Sequence, residues 1–443
     1  MSEKRVTGIS VGISAVRRDS RRGGHGRRGR RGKHATAAAL SAVLGGALLL
    51  TACGGSGARV SSSASAASAA DTAAAKDASG ARITIAPKDK QTNVGINNDA
   101  KVSVAGGRLT KVVLTTADGG RQIPGAISAD GRSWKPDTQL DRGTAYRITA
   151  DAKDSAGRPA TSNATFTTVS PANSFIAYYT PDAGSTVGVG MPVSVNFDKA
   201  ISDKAAVQSH IQVSTSSGQK VVGHWFGDNR LDFRPENYWR PGSQVTLRLN
   251  LDNVRGANGI TGVQDKTVTF AVGRSQVSTV DVATQTMTVT RDGKVIRTIP
   301  VSTGSPQHTT YNGQMVISEK FEKTRMDGST VGFTNADGKG EYDIKDVPHA
   351  MRLSTSGTFI HGNYWSPTSV FGHVATSHGC IGMSDVKGGG DTATDAAWFY
   401  NNSQIGDVVV VKNSNDRTIA PDNGLNGWNM SWNQWVAGSA IPI

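Results

Sequence analysis

The residues best able to do chemistry in this chain are one cysteine and two histidines. Cys380 lies in the run Thr376-Ser377-His378-Gly379-Cys380, and the only other cysteine among 443 residues is Cys53. A cysteine beside histidine and glycine, with a further histidine (His361) upstream, is typical of a thiolate nucleophile. The alternative is a small buried thiol with no chemical role.

A nucleophilic role for Cys380 requires a neighbour that activates the thiol. An ordinary thiol has a pKa of ~8.5 and is only slightly ionised at neutral pH. Two imidazoles are candidates: His361 ends an apolar strand that can hold the ring rigidly, and His378 lies two residues from Cys380. Gly379 lets the backbone approach closely, so the amides around it could converge on a developing oxyanion.

The remaining histidines do not indicate a metal centre. We interpret His349 and His373 as residues that shape loops. A zinc site built from His361, His373, His378 and Cys380 is disfavoured, because zinc ligands usually occur in tightly spaced pairs. We therefore expect no metal and no cofactor.

The elements that must position these residues are mainly β-strands. Residues 81–170 and 171–273 each contain short alternating strands separated by turn clusters, which predicts two tandem immunoglobulin-like sandwiches. Trp134 is expected to fill the core of the first. Neither block contains a cluster with catalytic spacing, so we interpret both as spacers. The third block, residues 274–412, is predicted to be β-rich and to carry the chemistry.

Two local patterns predict secondary-structure elements within the third block. Asp292-Gly293 lies between two strand-like runs and predicts a β-hairpin. A helix is expected from Asp391, as its N-cap, to about Asn402, followed by a buried valine strand. The tail, residues 413–443, holds three tryptophans that are costly to expose, so we expect it to pack on the body of the protein. A carbohydrate-binding stripe is the alternative.

The N-terminal segment accounts for most of the net charge. Residues 1–33 carry eleven basic and two acidic side chains, a net of +9 out of +13 for the whole chain. An uncharged apolar stretch follows, so residues 1–52 read as an export signal with a basic head. With the charge concentrated there, no nucleic-acid partner is expected. Residues 53–80, rich in Ser, Ala and Gly, are predicted to be a disordered tether.

Leu50-Thr51-Ala52-Cys53 resembles a bacterial lipobox. The resemblance implies cleavage before Cys53 and lipidation of its thiol, with an uncleaved signal anchor as the alternative. We therefore expect a cell-membrane lipoprotein on the extracytoplasmic face, directed toward the wall. Cys380 would then be the only free thiol.

The motif around Cys380 extends to a family signature. His361-Gly362, a gap of fifteen residues and Ser377-His378-Gly379-Cys380 resemble the signature of L,D-transpeptidases with a YkuD-type catalytic domain. Glu341-Tyr342-Asp343 resembles the substrate-loop tyrosine of that family, and Ser356-Gly357 its substrate-contacting strand. The two sandwiches and the Trp-rich tail resemble the actinobacterial branch. The resemblance thus implies two immunoglobulin-like sandwiches followed by a YkuD-type β-rich domain with one or two short helices.

The resemblance implies a role for each matching residue. Cys380 would be the nucleophile, and His361 the general base, oriented by the backbone carbonyl of Gly362. His378 would position the oxyanion loop, to which Gly379 contributes an amide. One departure is Gly382, where the family often has Asn or Arg, so we expect contacts to the substrate that differ from those of relatives. The implied substrate-binding residues are Tyr342, Ser356, Gly357 and Gly382.

The implied reaction is acyl transfer on peptidoglycan stem peptides. Cys380 would displace the terminal D-Ala, form a thioester and pass the acyl group to a neighbouring amine, giving a 3→3 crosslink by a monomeric enzyme. Carbapenems would inhibit through the same thiolate. The alternatives are an L,D-carboxypeptidase or another cysteine peptidase of the wall, or a non-catalytic wall-binding lipoprotein. A sortase would need an Arg soon after Cys380, and the next is Arg417.

Overall fold

The computed structural model describes residues 78–97 and 99–443. The predicted signal segment, the lipidation site Cys53 and almost all of the predicted tether lie outside these residues. Strands dominate the described part, which confirms the predicted mainly β fold. None of the helices in that part has the length and apolar character needed to cross a membrane.

The first nine strands form two sheets around one hydrophobic core. The sheet orders are β1-β3-β7-β6 and β2-β9-β8-β4-β5. Their core contains Trp134, as predicted, together with Tyr146 and Phe166. Buried and exposed residues alternate along the long strands, because successive side chains point to opposite faces of a sheet. The strands are β1 Arg82–Ala86, β2 Gln91–Val94, β3 Lys101–Ala105, β4 Gly107–Thr116, β5 Gln122–Ile123, β6 Gly125–Ile127, β7 Ser133–Pro136, β8 Ala145–Asp154 and β9 Pro159–Thr168.

The next eleven strands form a second β-structure with its own core. They make sheets ordered β10-β19-β18, β11-β13-β16-β15 and β12-β20-β17-β14. A short helix, which the sequence did not predict, precedes β14. The elements are β10 Ser174–Phe175, β11 Ala177–Thr180, β12 Thr186–Val187, β13 Val193–Phe197, α1 Lys204–Ser209, β14 Ile211–Thr215, β15 Val221–Phe226, β16 Arg230–Pro235, β17 Gln244–Asn250, β18 Arg255–Ala257, β19 Ile260–Gly262 and β20 Asp265–Val272.

A nine-stranded sheet carries the candidate catalytic residues. Its order is β24-β29-β21-β22-β23-β28-β27-β26-β25. The predicted hairpin joins β22 to β23, and Asp292 and Gly293 both have positive φ (48° and 78°), as a type I′ turn requires. The elements are β21 Gln276–Asp281, β22 Thr286–Arg291, β23 Lys294–Ser302, β24 Gly313–Val316, β25 Glu319–Asp327, β26 Asp343–Arg352, β27 Phe359–Asn363, β28 Ile381–Ser384, α2 Asp395–Asn402 and β29 Val408–Lys412.

Helix α2 begins later than the sequence predicted. The expected N-cap, Asp391, instead accepts a hydrogen bond from the Ala393 amide within a local turn. Thr394 caps the helix and accepts from the Ala397 amide. Both residue types cap helices well, and the competing local turn at Asp391 decides which one does so.

The second β-structure is joined to the catalytic sheet by packing and by a buried ion pair. Its core includes Val316 of β24 and Trp428 of the tail. Arg274 pairs with Asp407 at 2.9 Å, and the Asp407 side chain is only 1% exposed. The indole N–H of Trp428 donates to the Gly190 carbonyl at 2.6 Å. These contacts hold one side of the catalytic sheet in place.

Part of the Trp-rich tail packs on the second β-structure. It contains helix α3, Trp432–Ala437, which packs on β15. Trp435 is fully buried, donates from its indole to the Val222 carbonyl at 2.9 Å and stacks on His224. The guanidinium of Arg234 lies 4.4 Å from the Trp435 ring centroid. A buried ring of this kind cannot serve as an exposed carbohydrate platform.

Replacing Trp435 with alanine should strongly destabilise this docking. The change empties a large buried volume and removes a ring from Arg234, so we expect a loss of about 3–5 kcal/mol in the free energy of unfolding. Equilibrium urea denaturation of the whole chain measures it. Tyr178→Ala is the matched control, because Tyr178 is 60% exposed and should cost about 1 kcal/mol or less. Equal losses in the two variants would contradict a structural role for the tail.

Candidate active site

Two neighbouring parallel strands bring Cys380 and His361 to one face of the catalytic sheet. Strands β27 and β28 pair in parallel, with His361 opposite Gly382. Alternate residues of a strand share a face, so Cys380, two residues before Gly382, lies on the same face as His361. Because the residue opposite His361 is glycine, no side chain at position 382 crowds the imidazole.

The His361 ring is held in one orientation. Its Nδ1–H donates to the carbonyl of Gly362 at 2.9 Å, which leaves the Nε2 lone pair available to accept a proton. The ring is 5% exposed and stacks on Trp365, with centroids 5.7 Å apart. This is the backbone contact expected from the sequence, and it gives His361 the tautomer that a base needs.

The Cys380 thiol lies at the floor of a cavity that it shares with His361. It is 8% exposed, and its S–H donates to the Gly357 carbonyl at 3.6 Å. Within the described residues no hydrogen bond joins it directly to His361. The cavity has a volume of about 190 Å³, and we name it the thiol pocket. It is lined by Met326, Tyr342, Ile344, His361, Asn363, Trp365, Thr376, Ser377, His378, Cys380 and Gly382.

His378 is fixed by residues from two other loops. Its Nε2 donates to the Glu341 carboxylate at 3.1 Å, and its ring stacks on His308 with centroids 4.5 Å apart. The ligand atoms of His308, Glu341 and His378 lie within 4.8 Å of one another, so these three are the described residues best placed to hold a metal ion. Their hydrogen bond and ring contacts ensure that His378 is positioned without one.

The loop before Cys380 has its own internal hydrogen bonds. The Gly379 amide, expected to face an oxyanion, donates to the Ser377 hydroxyl at 3.2 Å, and that hydroxyl donates to the Cys380 carbonyl at 2.6 Å. Gly379 has a φ of 103°, which a residue with a side chain rarely adopts. In this structure the Gly379 amide is thus bonded to Ser377.

Comparison with known proteins identifies the family. Residues 91–255 match the bacterial Ig domain family, and residues 275–411 match the L,D-transpeptidase catalytic domain family YkuD. The chain is 34% identical to L,D-transpeptidase 2 of Mycobacterium tuberculosis strain CDC 1551 / Oshkosh, over 78% of this chain and 82% of that one. The chain belongs to the L,D-transpeptidases. The recognition of this family from the sequence motif is thereby confirmed.

A second relative and a solved structure are also named as L,D-transpeptidases. L,D-transpeptidase 5 of Mycobacterium tuberculosis strain H37Rv is 29% identical to this chain. The match covers 82% of this chain and 77% of the relative. Among solved structures, LD transpeptidase LdtMt1 in complex with imipenem is 30% identical, with a TM-score of 0.44 over 53% of this chain and 98% of that one.

Two of the substrate-binding residues predicted for this L,D-transpeptidase line the thiol pocket. Tyr342 contributes to its wall, and the Tyr342 ring centroid lies 5.0 Å from that of His378. Burial raises the pKa of Tyr342 to about 12, so its hydroxyl remains a hydrogen-bond donor at neutral pH. Gly382 also lines the pocket, and the Asn363 side chain occupies the space beside it. Asn363 therefore borders the pocket next to Gly382.

The other two predicted substrate-binding residues line a second cavity. Ser356 and Gly357 border a space of about 270 Å³, which we name the second pocket. His378 lines both pockets, so its loop separates them. Asn423, from the tail, donates to the Ser356 hydroxyl at 2.8 Å. Ser356 and Gly357 were expected in a strand, but they lie in the turn between β26 and β27. The tail therefore supports this turn as well as the second β-structure.

Some residues of the site were missed by the sequence reasoning. Trp365 and Asn363 follow the His361 strand closely, and that proximity was the only available signal. Glu341 was noted only as the neighbour of Tyr342, and His308 gave no signal, because only the folded loops place them beside His378. His349 does not shape a loop as expected, since it lies buried within strand β26 and pairs with Asp385 at 2.7 Å.

The electrostatics of the site favour a neutral thiol and a neutral imidazole. Burial raises the pKa of Cys380 to about 11, and a hydrogen bond from the Phe359 backbone partly opposes this. Burial also lowers the pKa of His361, while the Gly362 carbonyl and the charge of Asp385 raise it. At neutral pH the thiol therefore keeps its proton, and the imidazole is neutral and able to accept one.

Titration of the thiol tests this description. Ionisation of Cys380 should have a midpoint near 11. Since the folded thiol holds its proton more tightly than the unfolded one, its stabilising effect is present below the unfolded pKa of ~8.5 and is lost as the pH rises through the folded value. The ultraviolet thiolate absorbance, taken as the difference between the native chain and Cys380→Ala, isolates this group from Cys53 and the tyrosines. A midpoint below the ordinary value would show that the site stabilises a resting thiolate.

Proposed function

We propose that this L,D-transpeptidase forms 3→3 peptidoglycan crosslinks through a thioester on Cys380. The observation that carries the proposal is the placement of Cys380 and an oriented His361 on one face of adjacent strands, at the floor of the thiol pocket. A nucleophile and a base held together on rigid elements are what covalent acyl transfer requires.

In the first half-reaction, Sγ of Cys380 attacks the carbonyl of the L-centre at stem position 3. Its proton passes to Nε2 of His361, and the amide bond to D-Ala then breaks. The departing amine takes the proton from His361, so D-Ala leaves neutral and the imidazole is regenerated. In the second half-reaction a stem-peptide amine attacks the thioester carbonyl and gives a proton to Nε2 of His361. The C–S bond then breaks, and the imidazolium returns that proton to Sγ of Cys380. Amides near Cys380, with Gly379 released from Ser377, would stabilise each oxyanion.

Two pockets around one loop support a reaction with two substrates. The thiol pocket and the second pocket share His378, so a donor and an acceptor stem could approach the thiol from its two sides. A hydrolase would need only one peptide site. Tyr342 in the thiol pocket and Ser356 in the second pocket would contact these stems.

Product analysis with a synthetic stem tetrapeptide tests the proposal. We expect a dimer linked through two position-3 residues, with one free D-Ala for each dimer. Tripeptide and D-Ala without dimer would identify an L,D-carboxypeptidase instead. Tyr342→Phe tests the Tyr342 hydroxyl alone, since it keeps the ring that forms part of the pocket wall. Turnover of the tetrapeptide at the native rate by Cys380→Ala would rule out the thioester route.

We propose further that the enzyme works as a monomeric lipoprotein on the outer face of the cell membrane, directed toward the wall. The support is the apolar segment that ends in Leu50-Thr51-Ala52-Cys53, which resembles a lipobox. Metabolic labelling with an alkyne fatty acid should mark the native protein in the membrane fraction. Cys53→Ala should lose the label, and Cys380→Ala should retain it.

A further inference from the structure

A buried carboxylate lies directly behind the backbone that holds His361. Asp385 follows strand β28, and its side chain is 0% exposed. His349 donates from Nδ1 to Oδ2 of Asp385 at 2.7 Å. The other oxygen, Oδ1, accepts from the Val386 amide at 2.8 Å and from the Thr394 hydroxyl at 3.1 Å. A carboxylate this buried and this well bonded has one fixed position.

The Asp385 carboxylate packs against Gly362. A Cβ atom added at Gly362 would lie 2.0 Å from Oδ2 of Asp385, so only glycine leaves room for this arrangement. Gly362 is also the residue whose carbonyl binds Nδ1 of His361. The His361 ring, the Gly362 backbone, Asp385 and His349 therefore form one continuous series of contacts.

We propose that Asp385, oriented by His349, is a positioning residue that fixes the Gly362 backbone and supplies the counter-charge for His361. This inference rests on the proposed role of His361 as the base. When Sγ of Cys380 attacks, its proton passes to Nε2 and a buried imidazolium forms until the leaving amine takes that proton. A buried positive charge without a partner is costly, and Asp385 provides the negative charge nearby.

The electrostatics of the surroundings agree with this geometry. Burial lowers the pKa of His361, whereas the negative charge of Asp385 acts to raise it. Other groups also face the pair. The ring of Tyr400 lies 5.2 Å from that of His349, and the Lys320 ammonium lies 4.2 Å from the Tyr400 ring centroid. Glu322 acts on Tyr400, and Lys320 is a cation, whereas the negative charge that acts on His361 is that of Asp385.

Titration of His361 by NMR in the whole chain tests the proposal independently of catalysis. His361→Gln assigns the signal in protein with isotopically labelled histidine. In Asp385→Asn, the loss of negative charge should move the His361 titration to lower pH. His349→Gln can still donate to Asp385 and keeps the charge, so its His361 titration should stay close to the native one. An unchanged titration in folded Asp385→Asn would overturn the proposal.

The rate of Cys380 acylation by a carbapenem gives a second readout. Asp385→Asn should react about tenfold more slowly on the pH plateau, equivalent to ~1.4 kcal/mol in the barrier. The acidic limb of its pH profile should shift to lower pH. A purely structural Asp385 would change stability and leave this limb in place, which would overturn the proposal. Failure of the native chain to react would instead contradict the proposed function, while the NMR result would still decide the role of Asp385.

Variants at Gly362 keep the proposal testable if Asp385→Asn does not fold. Gly362→Ser should be destabilised, because its side chain collides with the carboxylate. Adding Asp385→Ala to Gly362→Ser should restore much of the stability, since the two residues are in contact. The double variant should nevertheless remain about tenfold slower than the native chain in acylation, for the same ~1.4 kcal/mol reason. Native acylation by a stable double variant would overturn the role of Asp385.

Discussion

Replacing Cys380 with alanine is expected to abolish covalent reaction with carbapenems and all transpeptidation. The native chain should gain one adduct by intact mass, and Cys380→Ala should gain none. Turnover of stem peptides should fall by a factor on the order of 10⁶, as in other enzymes that lose their nucleophile. The physical reason is that Cys380 carries the thiol that lines the pocket beside His361.

Cys53→Ala is the matched control for this prediction. It removes the other cysteine of the chain and should still gain one adduct at the native rate. Near-ultraviolet circular dichroism checks that Cys380→Ala retains its fold. An adduct on a folded Cys380→Ala protein would assign the reaction to a different nucleophile.

Replacing His361 with glutamine should slow acylation of Cys380 by about 10²–10⁴, the usual contribution of a positioned general base. The thiol has a pKa near 11, so little thiolate exists at neutral pH to react without a base. Glutamine keeps a polar side chain and loses the Nε2 lone pair. The second-order rate constant for a carbapenem, measured by stopped-flow absorbance, quantifies the loss.

The pH profile of the native chain provides a companion test. Burial lowers the pKa of His361, so the imidazole stays neutral and able to accept a proton below its ordinary pKa of ~6.5. The acidic limb of the acylation rate should therefore lie below that value, and it should disappear in His361→Gln. Trp365→Phe is the control, since it preserves an aromatic ring against His361 and should react at close to the native rate. A rate for His361→Gln within threefold of native would assign the base to another group.

Much of the fold could be predicted from local patterns. Strand β13 falls where alternation predicts it, and the Asp292-Gly293 turn joins the expected hairpin. Alternation, turn chemistry and apolar runs are properties of adjacent residues, so they can be read directly. The start of helix α2 was misplaced because Asp391 and Thr394 compete for the capping position. Local sequence does not decide that competition.

Only those parts of the site that are local motifs could be predicted from the sequence. The run from Ser377 to Cys380 and the pair His361-Gly362 are local motifs, and the resemblance they carry implied the contact between His361 and the Gly362 carbonyl. The cluster of Glu341, His308 and His378 joins three loops that are far apart in the chain. The spatial distances between these three residues are set by the fold, so their spacing in the sequence does not predict the contact.

The sequence by itself determined the mainly β class, the family and the residues able to supply a nucleophile and a base. The tertiary structure alone decided how those groups behave. It buries the Cys380 thiol and thereby raises its pKa, and it places Asp385 behind Gly362. It also docks Trp435 on the second β-structure. Residue types and periodicity are local properties, whereas burial and electrostatic fields come from atoms that only folding brings together.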